Sequence, residues 1–399
     1  MGAPRVVFVL SKFPCYDEAF LLRGIHAVSR QVDTWIFSLR RSRDAVVHDE
    51  ARALLPRVVS PSLAQLGRSH LAVLRRRPRR YLRALGRLVA GNLRSPELLV
   101  KNLVFFPSAV CLAHWALENG VTHLHAGWAT YPASAALVAA EIAGLPFSFS
   151  GHAHDIYLDT THLLEKLGRA AFVTTCTASN RDHLRRLAPD CPEQRIVLAR
   201  HGIRLEAFAP AARTDNPVSI LSVGTLFPHK GFEYVIDALG LLAKDGVGFR
   251  ATIVGGGPLE AALRARVRRA GLEERVTMTG ALTQAQLMPH FARASIFVLA
   301  AQPEWHWGIP NVIVEALAAR NAVVTTRFGS VEELVEDGET GLLVPPKDPA
   351  ALAAALSRLA GDRALRTRLA EAGHAVVARE FELDRCVAAY VRRFQGRVA

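Results

Sequence analysis

Short runs of β-branched and aromatic residues alternate with segments of helical period along the whole of this 399-residue chain, and the alternation starts twice. In the first half, "VVFVL", "DTWIFSL", "THLHA", "FSFSGH", "AAFVTTCT" and "RIVLARHG" read as strands. Between them, "EAFLLRGIHAVSRQ", "PASAALVAAEIAG" and "ASNRDHLRRLAP" read as helices. Strands that take turns with helices pair in parallel, and the helices cover both faces of the sheet. "HGIRLEAFAPAARTDNP" interrupts the pattern with Pro210, Asn216 and Pro217, which reads as a linker.

The second half repeats the scheme. "VSILSVG", "RATIVGGG", "RVTMTG", "SIFVLAA", "AVVTT" and "GLLVP" alternate with helical stretches such as "FEYVIDALGLLAKDG" and "PLEAALRARVRRAG". The fold class is therefore α/β, with two Rossmann-like, doubly wound parallel-sheet domains. The expected spans are 1–208 and 209–377. Ligands of such sheets bind beyond the carboxyl ends of strands, and a cleft between two such domains is the expected place for a site.

The five cysteines (Cys15, Cys111, Cys176, Cys191 and Cys386) are scattered and form no CxxC pair, which disfavours a disulfide framework or a zinc site and fits a reducing, cytoplasmic compartment. The opening apolar run Val6 to Leu10 is too short for a signal peptide and reads as a buried first strand. The most apolar later window is cut by Glu141, so no transmembrane span is expected. Charge is uneven: Arg68 to Lys101 holds ten basic residues against Glu97 alone, +9 of the total +13. Leu71, Leu74, Tyr81, Leu82, Leu85, Leu88 and Val89 recur among them at roughly helical spacing. One reading is a basic amphipathic helix on an anionic membrane surface, placing the protein peripherally at the inner face of the cytoplasmic membrane, or against an acidic acceptor. The other is a solvated arginine face. Nucleic acid is not expected as a partner, because nothing resembling a nucleic-acid fold accompanies the charge.

Three strand-to-helix turns in the second half suit phosphate or ribose. "SVGTLFPHKGF" brings Lys230 and Gly231 to a helix start, where free N–H groups, a close-approaching backbone and a point charge can hold a diphosphate. Taken alone, such a stretch is more commonly a plain turn with a surface lysine than a ligand site. "IVGGGPL", with Gly255 and Gly257, is a tight turn into a Pro-started helix as readily as a ligand contact. "GIPNVIVEALA" runs from Gly308, Ile309, Pro310 and Asn311 into a helix with Glu315 on the same face as Asn311. A carboxylate there can accept two hydrogen bonds from a vicinal diol, or merely complement the helix dipole. In the first half, "SFSGHAHDIY" sets His152, His154 and Asp155 just past a strand. They suit hydrogen bonding to a sugar better than a metal, since no further ligands accompany them. His125 in "HLHAGW" also sits at a strand end.

Together these motifs resemble the retaining glycosyltransferases of family 4, of GT-B architecture, and in particular the exopolysaccharide-biosynthesis branch. "FVLSKFPCYDEAFLLRGIHAV", "HLHAGWATYPASAALVAAEIAGLPFSFSGHAHDIY", "SVGTLFPHKGFEYVIDAL", "IVGGGPL", "GIPNVIVEALA" and "VEDGETGLLVPPKDPAAL" follow the family order over nearly the whole chain. The resemblance implies transfer of a sugar from a nucleotide-sugar donor to a hydroxyl of a glycan, lipid-linked or small-molecule acceptor, without cofactor or metal. The donor would lie in the second domain and the acceptor in the first. It also implies that helix 378–399 packs back on the first domain. Lys230 matches the lysine that neutralises the leaving diphosphate, Glu315 the glutamate that holds ribose, and His152 the histidine that touches the donor sugar. Gly224, Thr225, Gly231, Gly255, Gly257, Met278, Trp307 and the Gly308–Asn311 turn would complete the donor site. Glu18, His125, His154, Asp155 and Glu304 would face acceptor or sugar.

Three positions depart from the family pattern. Thr225 stands where arginine is usual, Trp307 where a sugar-binding glutamate is usual, and Gly127 where a second histidine is usual. Trp307 can donate a hydrogen bond but not accept one; it can also stack on a sugar face. Glu304 or His306 could take over the missing carboxylate's role, and Arg327 the missing charge. The alternative is a non-catalytic glycosyltransferase-like scaffold or regulator that has lost donor chemistry.

Overall fold

The computed structural model describes residues 3–15, 18–42, 49–91, 93, 95–208, 217–305 and 308–396. The chain divides into two compact units, Met1–Arg200 with Cys386–Ala399, and His201–Arg385. The first holds a seven-stranded, all-parallel sheet ordered β3-β2-β1-β4-β5-β6-β7. Its strands are β1 (Arg5–Phe13), β2 (Asp33–Arg41), β3 (Val58–Val59), β4 (His123–Ala126), β5 (Phe147–Gly151), β6 (Val173–Thr175) and β7 (Ile196–Leu198). The second holds a six-stranded parallel sheet ordered β10-β9-β8-β11-β12-β13. Its strands are β8 (Val218–Val223), β9 (Phe249–Val254), β10 (Val276–Gly280), β11 (Ile296–Leu299), β12 (Ala322–Thr326) and β13 (Leu342–Val344). Strands buried on both faces explain why the sequence runs are continuously apolar rather than alternating.

The unit boundaries differ from the expected 208/209 and 377/378. Residues 201–208 and 378–385 both belong to the second unit, because they pair there. Ile203 N–H donates to Phe381 O at 2.8 Å and Leu383 N–H to Ile203 O at 3.0 Å. Phe208 and Phe381 lie in a core with Phe291 and Phe297. The last helix, Leu383–Phe394, puts only its later turns on the first unit. There the Tyr390 hydroxyl bonds to Ser150 (3.2 Å) and Thr174 (3.0 Å), and the Phe394 ring lies 5.2 to 6.0 Å from those of Phe8, His123, His125 and Phe172.

The basic window is not one helix but parts of three. Leu63–Arg76 opens with a capping box between Ser62 and Gln65, which bond each other's backbone N–H. It stops at Arg77 (φ −141°), because Pro78 disfavours helical backbone in the residue before it. Pro78 then starts the helix Pro78–Ala90. The third helix, Pro96–Glu118, contains a stretch, Leu99–Glu118, long and apolar enough to cross a membrane by length and composition. Its second half, with Ala109, Val110, Leu112, Ala113 and Ala116, is buried in the core of the first unit, whereas Val100, Leu103 and Val104 of its first half are exposed.

Candidate functional site

In each sheet the strand order reverses once, between β1 and β4 and between β8 and β11. Loops diverge at such a point and leave room for a ligand beyond the carboxyl ends. In the second unit Lys230 and Gly231 follow β8, and Gly308 to Glu315 follow β11, the two strands at its switch point.

Gly224 follows β8, its N–H donating to Val254 O at 3.0 Å. The following loop is stitched to the loop after β9: Leu226 N–H donates to Gly256 O at 3.0 Å and Leu259 N–H to Leu226 O at 3.1 Å. A Cβ on Gly255 would lie 1.8 Å from Gly224 O, and one on Gly257 2.8 Å from the backbone of Leu226. These glycines are therefore required by the approach of two loops to each other. Lys230 closes a short turn, and Gly231 follows at φ +67° as the N-cap of the helix Phe232–Lys244. A Cβ on Gly231 would meet the Ala300 carbonyl oxygen at 1.9 Å. Gln302 N–H donates to His229 O at 2.9 Å, so the lysine loop is held against the chain leaving β11. Burial pulls the Lys230 ammonium down to a pKa of about 8, which leaves it protonated at neutral pH.

That chain continues through Gly308, Ile309 and Pro310 into the helix Asn311–Ala318, with Pro310 extended at its start. Asn311 Oδ1 lies 3.3 Å from His201 Nδ1. Glu315, one turn in, is only 4% exposed, which is far more burial than dipole compensation at a surface helix needs. Thr225 is exposed. The Met278 carbonyl accepts from Arg264 at 3.0 Å. Glu304 pairs with Lys347 at 2.7 Å, and Arg327 with Glu332 and, at 3.8 Å, Asp337. The replacements suggested for Trp307 and Thr225 thus already have partners. Trp307 and His306 lie outside the described residues.

In the first unit the structure corrects two expectations. His125 faces no ligand: it is fully buried, its ring nitrogens 2.7 Å from Ser148 Oγ and 3.0 Å from Ser150 Oγ. It belongs to a polar chain from His123 through Ser148, His125 and Ser150 to Thr174 and Tyr390. Burial holds the His125 pKa well below the ordinary value and that of His123 at about 4, so both are neutral. Asp155 is a backbone clamp rather than a sugar or metal ligand. Oδ1 accepts from His152 N–H (2.9 Å) and Ala153 N–H (2.8 Å), and Oδ2 from Ala129 N–H (3.0 Å).

That clamp holds His152. Its Nε2 donates to Gly127 O at 2.9 Å, and its pKa is lowered by burial against the opposing charge of Asp155, so the imidazole is neutral. A Cβ on Gly127 would lie 2.6 Å from Leu10 Cδ2 and 3.1 Å from Leu21 Cδ2, so any side chain here requires these buried leucines to shift. Where the family pattern has a histidine, this chain has a tight packing contact. Sequence reasoning missed Trp128. Its ring centroid lies 4.6 Å from that of His152, 5.4 Å from His154 and 6.2 Å from Phe20. The Trp128 Nε1 donor is buried without a partner among the described residues, and a buried donor with none is ready for a ligand acceptor. The signal was present in "HAGW", directly after β4. His154 is exposed, and Glu18 sits at the start of the helix Ala19–Ser29.

Residues 217–362 match the family model described as Glycosyl transferases group 1. The chain is 35% identical over 201 residues to the amylovoran biosynthesis glycosyltransferase AmsK of Erwinia amylovora, covering 49% of each. It is 32% identical over 229 residues to the alpha-D-kanosaminyltransferase of Streptomyces kanamyceticus, covering 54% of this chain and 58% of that one. The chain spans about half the length of the curated relatives it matches. Among solved structures it is similar to Anabaena HepE in complex with UDP and glucose, at 17% identity and TM-score 0.71, covering 98% of this chain and 100% of that one. Sucrose-phosphate synthase of Thermosynechococcus elongatus aligns with TM-score 0.71 at 17% identity over 99% of both chains. The architecture is GT-B: two Rossmann-like units, each built on a parallel sheet.

Proposed function

We propose that the protein is a retaining glycosyltransferase that moves a hexose from a uridine or guanosine diphosphate sugar to a hydroxyl of a glycan or lipid-linked acceptor. The observation that carries this reading is the convergence of Lys230 and buried Glu315 at one switch point, on loops packed against each other. As the bond from the anomeric carbon to the diphosphate oxygen breaks, negative charge collects on the diphosphate. Lys230 and the positive end of the helix Phe232–Lys244 would meet that charge, and fixed charges of this kind stabilise the transition state. Thr225 adds no charge, so Lys230 is the principal cation. Glu315 accepts from the ribose hydroxyls. The neutral His152, held by Asp155 and backed by Trp128, meets the donor sugar.

The relatives support the reading in their own right: AmsK is a biosynthetic glycosyltransferase of amylovoran, and HepE was solved with UDP and glucose. No metal is needed in this scheme, because the lysine and helix dipole neutralise the diphosphate. The test is a panel of nucleotide-sugars, scored for binding and for slow release of nucleoside diphosphate, with Glu315→Ala alongside. One donor should bind and be slowly hydrolysed, unaffected by a chelator, and the variant should lose donor binding while keeping its melting temperature. Folded protein that binds no nucleotide-sugar sinks the proposal.

A further inference from the structure

The ten basic residues of the Arg68–Lys101 window do two different jobs. Some brace the fold. Arg77 donates to Ala143 O at 3.0 Å, Arg87 pairs with Glu141 at 2.7 Å, and Arg80 lies so close over Gly144 that a Cβ there would be 1.9 Å from its Nη1. Arg76 and Lys101 meet Glu118 (3.4 Å) and Glu97 (2.6 Å). Arg94 lies outside the described residues. Arg68, Arg75, Arg79 and Arg83 are exposed and have no side-chain partner among the described residues. They sit either side of the elbow at Arg77, interleaved with Leu71 (50% exposed), Leu74 (43%) and Leu82 (59%). At helical spacing, 68, 71 and 75 share one face, as do 79, 82 and 83. The opposite faces pack inward: Ser69 bonds His114 at 3.2 Å, and the Tyr81 ring meets Phe106 at 5.4 Å.

Composition does not account for this surface. The first unit carries 29 Lys and Arg against 15 Asp and Glu, a net +14, and the second 20 against 21, a net −1. Of the large apolar residues exposed among the described residues, eight fall between Leu63 and Val104, and only Phe227 falls in the second unit. An arginine-rich proteome would load both units alike.

We infer that the elbow of the helices Leu63–Arg76 and Pro78–Ala90 rests on an anionic lipid bilayer. Leu71, Leu74 and Leu82 enter the boundary between headgroups and acyl chains, and Arg68, Arg75, Arg79 and Arg83 pair with lipid phosphates. Leucines flanked by long cationic side chains match that boundary, since the stems lie along apolar surface while the guanidinium groups reach the phosphates. Nucleic acid would use the arginines and leave three leucines in water. The inference goes beyond the transfer reading and stands without it, because bilayer binding needs no donor.

The experiment is co-sedimentation of the full chain with phosphatidylcholine vesicles, with and without phosphatidylglycerol, and no nucleotide-sugar present. The protein should bind only the anionic vesicles, and more weakly as salt rises. Each basic residue near an anionic surface contributes roughly fivefold in affinity, so R68Q/R75Q/R79Q/R83Q should lose on the order of 10²–10³-fold. L71S/L74S/L82S should weaken binding as well, and R268Q/R269Q on the second unit should not. Melting temperatures establish that variants are folded; the R79Q/R83Q pair alone serves if the fourfold variant is not. Binding to neither vesicle, equal binding to both, unchanged binding of the folded arginine variants, or binding of heparin without binding of anionic vesicles would each overturn the inference.

Discussion

Two units of one architecture share this chain, and they differ most where the fold is indifferent. Both carry a parallel sheet with one reversal of strand order, and both place their candidate residues at the carboxyl ends beside it. The first unit holds all the excess charge and, among the described residues, nearly all the exposed large apolar side chains; the second is near neutral, with a closely stitched glycine loop. The sheet needs only its apolar runs, so the outer helix faces of one unit are left to vary without touching the core. A doubly wound fold separates scaffold from surface in this way, and two copies can take on unrelated tasks.

The sharpest division between the units is chemical. Lys230→Ala should cut turnover by about 10²–10³-fold, the usual cost of removing one group that faces transition-state charge, with anionic-vesicle binding unchanged. Steady-state rates and sedimentation of the same variant check this; loss of both together would break the comparison. Acid should divide the units next. The first unit buries His123 and His125, while among the described residues no histidine of the second is buried. His123 has its folded pKa lowered to about 4, below the unfolded value near 6.5. Folding then excludes a proton that the unfolded chain takes up. The stabilisation is complete above about pH 6.5 and is lost as pH falls towards 4, about 3 kcal/mol for this one group. Unfolding followed by tryptophan fluorescence should show the first unit weakening over that range and the second holding.

A third expectation concerns alkaline pH. Lys230 in the free protein titrates near 8, because burial disfavours its charge. Donor affinity should fall up to tenfold per pH unit above about 8, where a surface lysine would hold to about 10. A flat affinity profile up to pH 10 would remove Lys230 from the diphosphate. The smallest effect is Tyr390→Phe, which takes two hydrogen bonds from the first unit and should cost it about 1 kcal/mol in denaturant unfolding, with donor binding untouched.

The two halves were also unequally legible. Strand runs and the two-domain plan could be read from the alternation of apolar runs and helical periods; spacing placed Lys230 and Glu315 at strand-to-helix turns, while their roles rest on the family resemblance. His125 and Asp155 could not. Whether His125 faces a ligand or the sheet depends on register: it pairs opposite Ser148 of β5, and that serine, with Ser150, takes its ring nitrogens. Asp155 stands in a motif that suits a sugar, yet its oxygens close on three backbone amides that only the folded loop brings together. Trp128 was passed over because its value lies in the rings around it, contributed by residues 20, 152 and 154. The basic window showed its charge but not its division, since bracing and exposed arginines differ only in which helix face they occupy.

The placement of Tyr390 and Phe394 against β4, β5 and β6 bears on the order in which the protein is made. The second unit is one continuous stretch, His201–Arg385, whereas the first is completed by residues beyond 386. During synthesis, the half that emerges earliest waits for Phe394 before Phe8, His123 and Phe172 are covered. The half that emerges later has all its own residues available sooner. Translation therefore delivers a complete second unit before a complete first one, and a chain cut between residues 385 and 390 would carry an intact second unit beside a sheet that Tyr390 and Phe394 have not yet covered.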